Sequence, residues 1–507
     1  MLTRRRFLTT AAQAGASLAI ANSAAAQEEP APAAESRLKP LPQEGRTLVN
    51  DVHSQLNPTH VREIAAPTDL GDLAAAVQRA ARDGSSISIA GGRHAMGGQQ
   101  FGTDTLLLDM RGLKRLVALD AERGLVEVEA GATWPELVAE LESAQQGAAR
   151  PWGIIQKQTG ADRLCVGGAL AANAHGRGLT LQPMIGDVES LRLVDANGET
   201  RLCSRTENNE LFRLAIGGYG LLGVIGSVTL RLMPRRKLER VVEIIEIPDL
   251  MPAFERRIEA GFLYGDCQFS IDPRSTKFLS EGLFSCYRPV DDSIAVAADQ
   301  KQLSDEDWRE LYYLSHADPA RAYERYTSYY LSTNGQVYWS DTHQLSTYLD
   351  DYHRALDART NAAWPGTEMI TEAYVPRREL ATFMRRLADD FRRNDVTVIY
   401  GTIRLIEKDD ESFLAWARES WVCVVMNLHI DHSPQGIEKA ANDFRRIIDR
   451  AIELDGSYFL TYHRWATRAQ VDACYPQMAQ FLELKRRHDP SERFQSDWYR
   501  HYRRMFA

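Results

Sequence analysis

Three observations predict a mixed α+β protein of two domains. The chain has 507 residues, 44% of them hydrophobic, which is enough material for more than one core. Between about residues 50 and 235, short strand-like and helix-like runs alternate. After Pro234 the texture shifts to dense aromatic and charged residues, where longer strand-like runs are separated by amphipathic helices.

The elements follow in chain order. Thr3-Arg4-Arg5-Arg6-Phe7-Leu8 is a twin-arginine pattern, followed by an apolar stretch to about Ile20 and by Ala24-Ala25-Ala26. That order predicts a signal peptide over 1–26 and a periplasmic or secreted protein. At roughly a dozen residues the stretch is short of the about 20 that span a bilayer, and no other run is a membrane-span candidate. Residues 27–49, rich in Ala, Pro and Glu, read as a disordered linker. A first domain is expected over 50–236. In it, Leu70, Leu73, Val77 and Ala80 recur at helical spacing over 68–83, with Thr68 as the cap. Strands are predicted over 86–90, 106–110 and 125–130, and a helix opens at Thr133-Trp134 with Leu137, Val138 and Leu141 on one face. A second domain over 237–459 carries strand-like runs at 370–375, 396–405 and 422–429 and helices at 378–392 and 437–452, a sheet covered by helices. The aromatic run from Tyr326 to Tyr330 is read as packing. Residues 460–507 form a short tail. No internal repeat is present.

Charge and cysteines narrow the function. A net charge of −9 argues against a nucleic-acid binder, which needs a basic face. The six cysteines form no C-x-x-C pair, so no zinc or iron–sulfur site, and no metal site at all, is expected. They are too sparse for a disulfide framework, though one or two bridges stay open to an exported chain.

Glycines carry the chemistry. Gly91-Gly92-Arg93-His94-Ala95-Met96-Gly97-Gly98 follows a predicted strand directly. Successive N–H groups of such a loop make a nest for an anion such as a pyrophosphate. It is neither G-x-G-x-x-G nor a P-loop, which would end in Gly-Lys-Ser/Thr. A second segment runs from Val166 to Gly178 (Val166-Gly167-Gly168-Ala169…Asn173-Ala174-His175-Gly176), and a third from Gly217 to Gly226 precedes the strand-like 227–232. Singly each reads as a tight turn; the three in this order are far more specific.

This order resembles the vanillyl-alcohol-oxidase (PCMH) type of FAD-binding oxidoreductase, which includes sugar, alditol and aldonolactone oxidases and cytokinin dehydrogenases. The family's G-x-G-H-S loop is matched by Gly92-Arg93-His94-Ala95, with Ala95 in place of Ser. Its V-G-G-x-x-A-x-x-x-H-G signature is matched by Val166 to Gly176. The resemblance covers about residues 55–235 well and the rest in patches. It implies an FAD-binding domain in two parts and an α/β cap domain, built on an antiparallel sheet, for the substrate. It also implies FAD, bound covalently through His94, the alternative being non-covalent FAD beside that ring. By the same carry-over, Gly91, Gly92, Arg93, His94 and Ala95 hold the pyrophosphate and ring edge. Gly160, Cys165, Gly168, Asn173 and His175 line the flavin, and Ile225 lies near the adenine. For His175, a structural role bonded to backbone stays open.

In the cap, Gly401-Thr402-Ile403-Arg404 resembles the family's E-x-R element; Arg404 matches and Thr402 replaces the Glu, so a carboxylate is missing. The alternative for Arg404 is an ion pair with Glu407 or Asp409. Period-2 alternation puts Asn427 and His429 on one face of a strand. Tyr462-His463-Arg464-Trp465 resembles the family's H-W motif without its Lys, and makes His463 a candidate base. Arg404, His463 and His429 are therefore the catalytic candidates. The expected activity is oxidation of a CH–OH group of a small polar substrate (a sugar, polyol or lactone), with oxygen or another acceptor taking the electrons. The alternatives are an amine or aromatic-alcohol oxidant of the same fold, and a flavin-holding accessory protein that passes electrons to a partner.

Overall fold

The computed structural model describes residues 46–349 and 351–507. The predicted signal peptide and most of the predicted linker lie outside them. The end of the predicted linker is structured: Thr47–Val49 pairs antiparallel with Thr59–Val61 and buries Val49.

The predicted elements of the first domain form with small shifts. The helix Leu70–Arg82 is capped by Asp69, whose carboxylate accepts from Asp72 N; Thr68 instead bonds the Asp72 side chain. The helix Trp134–Ala144 opens on a capping box between Thr133 and Glu136. Besides the Thr47–Val49 and Thr59–Val61 pair, the strands make two sheets. Glu63–Ala65, Leu106–Asp109 and Ile87–Ala90 are parallel, with Leu106–Asp109 central. Leu106 to Leu108 are fully buried and apolar, as a strand covered on both faces requires. The other sheet is antiparallel, ordered Thr200–Ser204, Val188–Val194, Val224–Pro234, Leu125–Glu129, Leu116–Asp120, and Trp152–Ile154 also pairs with Val224–Pro234.

The cap domain is an eight-stranded antiparallel sheet. Its order is Val337–Trp339, Lys237–Glu246, Glu281–Pro289, Tyr264–Phe269, Val398–Ile406, Trp421–Asp431, Gly366–Pro376, Ser457–Tyr458. The helices Ile247–Glu259, Leu380–Arg393 and Pro434–Ile452 cover one face. Their Phe254, Phe383, Leu387, Phe444 and Ile447 share one core cluster with Met369, Ala373 and Val375 of the sheet. Alternation sends the intervening residues Glu368, Ile370 and Glu372 to the opposite face.

The tail returns to the first domain. Ile87 N bonds Arg493 O at 2.6 Å, Gln495 N bonds Ile87 O at 2.8 Å, and Asp497 N bonds Phe101 O at 2.8 Å. Asp489 shapes this return. Fully buried, it pairs with the equally buried Lys485 and accepts from Arg493 N and Phe494 N, both at 2.9 Å. Asp489→Ala would strand the Lys485 ammonium in the interior. We expect it to cost about 3–5 kcal/mol of unfolding free energy, read as a shift in the urea midpoint. A loss below about 1 kcal/mol would refute this role.

Candidate functional site

A cleft runs between the three glycine segments. Its floor is the loop that leaves the strand Ile87–Ala90. A Cβ at Gly92 would stand 2.4 Å from Arg163 O, and one at Gly97 would stand 2.3 Å from Tyr462 O. Only hydrogen fits at both positions. The chain turns through Arg93 at φ 59° and through Gly160 at φ 105°. Gly160 and Gly168 have open space where a side chain would begin.

Gly91, Gly92, Arg93, His94, Ala95, Gly160, Cys165, Gly168, His175 and Ile225 all line this cleft. Asn173 does not. It sits at φ 48°, fully buried, donating to Asp409 Oδ2 at 2.8 Å and accepting from Ile185 N at 3.0 Å. It ties the second glycine segment to a loop of the cap. Cys165 packs against Gly91, and burial pushes its thiol up to about 11, so it is a thiol and not a thiolate. All six cysteines are unpaired and buried.

His94 is buried edge-on to His53, with ring centroids 4.8 Å apart, and to Tyr348 at 5.5 Å. Burial holds its imidazole well below the ordinary range, helped by His53 and Arg163, so the ring is neutral. Its Nδ1 is buried without a hydrogen-bond partner. The same is true of Gln99 Oε1, Gln100 Oε1, Gln158 Nε2 and Arg404 Nε, all on residues that line the cleft. Buried polar atoms are normally paired. Such a set, gathered around a glycine floor, fits a large polar anionic ligand of the FAD kind.

A second, larger cavity opens on the cap side, and the two share a wall made of His53, Thr159, Gly160, Ile370, Glu372, Arg404 and Tyr462. Arg404 is 6% exposed and makes no hydrogen bond or ion pair among the described residues. The sequence alternative falls away, because Glu407 pairs with Arg377 at 2.7 Å and Asp409 holds Asn173. Glu372 supplies a carboxylate where Thr402 does not. Both face Val425 of the strand between them, so they belong to one row across the sheet. Glu372 accepts from Tyr462 Oη at 2.6 Å and Tyr374 Oη at 2.7 Å, and its Oε2 lies 3.1 Å from His175 Nε2. Burial works to raise this carboxyl, but His175 and the two phenols outweigh it and bring it down to about 2. His175 Nδ1 bonds Gly176 O at 3.0 Å, so the ring serves both of the roles left open for it: backbone partner and cleft wall.

Arg404 and His463 do not meet. Tyr462 faces the cleft, and His463, the next residue, points the other way, beneath the helix Pro434–Ile452. There it stacks on Trp465 (centroids 4.2 Å, 10° between planes) and stands edge-on to Phe444. It lines neither cavity, and burial, with Arg464 adding, drives its imidazole down to about 3. His429 lies on the cavity face two residues beyond Asn427, opposite Glu368 and away from Arg404. The aromatic run also departs from its reading as packing: Tyr326, Tyr329 and Tyr330 line the second cavity, with Tyr323 and Tyr338. Sequence reasoning missed Glu372, Tyr462 and His53. A glutamate at the centre of the apolar run 370–375 was the one visible signal.

Comparison with known proteins supports this geometry. Residues 61–204 match the model of an FAD binding domain. The chain is 24% identical over 447 residues to an L-gulono-1,4-lactone dehydrogenase of Mycobacterium tuberculosis, covering 86% of this chain and 95% of the relative. It is 23% identical over 462 residues to a decaprenylphosphoryl-beta-D-ribose oxidase of Mycolicibacterium smegmatis, covering 86% and 94%. An L-gulonolactone oxidase of Mus musculus is 28% identical over 170 residues, 33% of this chain and 37% of the relative.

The Glu372 network has a pH signature. Its carboxyl drops from 4.5 to about 2 on folding, so its stabilisation is complete above the higher value and is lost as pH falls through the lower. The stability gap between wild type and Glu372→Gln should therefore shrink between those two values, as followed by urea unfolding at stepped pH. A gap that stays constant across that window would contradict the network.

Proposed function

We infer that this chain, an FAD-dependent oxidoreductase of the vanillyl-alcohol-oxidase (PCMH) type, oxidises a CH–OH group of a sugar, polyol or lactone. The observation that carries the reading is the wall shared by the two cavities, where an unpaired arginine, a carboxylate and a phenol stand between the glycine cleft and a tyrosine-lined chamber. FAD bound in the cleft would supply the redox chemistry, as the hydride acceptor. The protein's residues bind, orient and manage charge. The loop Gly91, Gly92, Arg93 and Ala95 would take the pyrophosphate, Ile225 would border the adenine, and Gly160, Cys165, Gly168 and His175 would line the ring system.

Arg404 places a fixed cation where negative charge develops, and being preorganised and buried it needs no rearrangement to do so. Tyr462 donates its own proton to Glu372 Oε1, which leaves its oxygen free to accept a hydrogen bond from the substrate hydroxyl. The negative charge of Glu372 behind Tyr462 Oη thereby strengthens that acceptor and orients the hydroxyl. His53 is a second neutral acceptor on the same wall; burial lowers its imidazole to about 4 although the charge of Glu368 opposes this. The tyrosines of the second cavity present flat faces and hydroxyls together, which suits a polyhydroxylated ring. The two full-length relatives carry names for a sugar lactone and a ribose derivative, in keeping with this choice over an amine.

A covalent link from His94 to the flavin is the finer part of the proposal. The support is a neutral imidazole in the cleft wall with one buried, unpartnered nitrogen.

Without oxygen, a reactive aldonolactone or alditol should bleach the flavin. Arg404→Ala should slow that bleaching about 10²- to 10³-fold while FAD stays bound. Bleaching at the wild-type rate would remove Arg404 from the chemistry, and no bleaching by any hydroxylated substrate would favour an electron-transfer accessory. Acid-denatured wild type should stay yellow after washing, and His94→Ala should release its colour. Colour washed from the wild type would leave FAD binding intact and end the covalent claim.

A further inference from the structure

Beyond the flavin cleft, the far end of the second cavity holds a cluster that the proposed oxidation does not use. Glu368 lies directly opposite His429 on paired strands, and His316 reaches it from the last turn of the helix Asp305–Ala317. His316 Nε2 is 3.3 Å from His429 Nδ1 and 3.4 Å from Glu368 Oε1, and His429 Nδ1 is 3.7 Å from the same oxygen. His353, on the helix Tyr352–Thr360, brings its Nδ1 to 3.4 Å from the other oxygen, Glu368 Oε2. Glu368 is 4% exposed. Among the described residues its oxygens make no well-aligned hydrogen bond, only the imidazoles approach them, and no Lys or Arg pairs with it. A buried carboxylate whose charged form meets only imidazole rings is costly unless a cation stands among them.

The tautomer of His316 sharpens the point. Its Nδ1 lies 2.8 Å from the carbonyl of Tyr312, which can only accept, so Nδ1 carries the hydrogen. In the neutral ring, Nε2 then presents a lone pair to a second imidazole and to a carboxylate. Bonding the outer nitrogen to a backbone carbonyl is how metal-binding histidines are oriented. The spacing agrees: metal–ligand bonds of about 2.0–2.1 Å at tetrahedral angles put neighbouring ligand atoms about 3.3–3.4 Å apart. The three measured separations fall close to that edge.

We propose that His316, His429 and Glu368 bind a divalent transition metal ion of the zinc class, with His353 packed beside the second oxygen of the carboxylate. Two imidazoles and one carboxylate form a borderline donor set that suits zinc over calcium or magnesium. Three protein ligands leave a fourth position open. Glu368 and His353 both line the second cavity, so that position faces the chamber where a water or a ligand oxygen completes the shell. The sequence held no spacing signature because the three donors come from three separate elements. The site stands whether or not the substrate reading is right, since the test reads metal and not turnover.

The experiment uses the purified holoprotein, free of any affinity tag, stripped with a chelator and titrated with zinc chloride by calorimetry. Elemental analysis follows gel filtration. Wild type should retain one zinc per chain. His316→Ala, His429→Ala and Glu368→Gln should each weaken binding by about 100-fold or more, at least the loss seen when outer-shell partners of a metal site are removed. Retained flavin absorbance and an unchanged melting profile identify the variants that fold, and the two histidine variants suffice if Glu368→Gln does not. Either of two outcomes overturns the proposal: a stripped wild type that takes up no zinc, which would leave protons as the cluster's cation, or histidine variants that bind zinc as tightly as the wild type.

Discussion

The register between Gly366–Pro376, Trp421–Asp431 and Val398–Ile406 decides which side chains meet the cleft. These strands are paired over their full lengths, Glu372 against Val425 and Val425 against Thr402. Because side chains alternate with a period of two, a slip of one residue would turn Glu368, Ile370 and Glu372 into the helix-covered core and push Met369, Thr371 and Ala373 out. The core face is sealed by Phe254, Phe383, Leu387 and Phe444, where a carboxylate has no partner. Apolar burial on one face thus fixes the polar row on the other. Arg404 and Glu372 are positioned by hydrophobic packing they do not touch.

Burial of those polar groups is tolerated because each is answered from another element. Glu372 is held by Tyr462 from the tail, Tyr374 from its own strand and His175 from the second glycine segment. Arg404 is the exception: it is buried and makes no ion pair among the described residues. The same logic separates His463 from the site. Its ring is satisfied by stacking on Trp465 and is held neutral, so it behaves as part of the core.

Much of this was legible from the chain alone. The glycine loops were readable because close backbone approach leaves only one residue type possible, as at Gly92 and Gly97. The domain texture and the helix-covered antiparallel sheet were readable from periodicity. Asp69 displaced Thr68 as a helix cap because both can do the work and local geometry chooses. Glu372 and Tyr462 escaped because their roles arise from pairing across strands and from a tail about 90 residues away along the chain. The tyrosines of Tyr326–Tyr330 were read as packing because an amphipathic helix presents the same pattern to a core and to a cavity. His463 misled because it is one residue from the side chain that does face the cleft.

The return of the tail sets an order of events during synthesis. Gln99, at the end of the first glycine loop, donates to Thr461 O at 2.7 Å; Gly97 lies against Tyr462 O; and Tyr219, in the third glycine segment, packs on Trp498. The ligand cleft is therefore walled by segments made early and by segments made last. A ribosome that has finished the FAD-binding half has not finished the pocket. The cleft has all its walls only once the chain has been made through Tyr462.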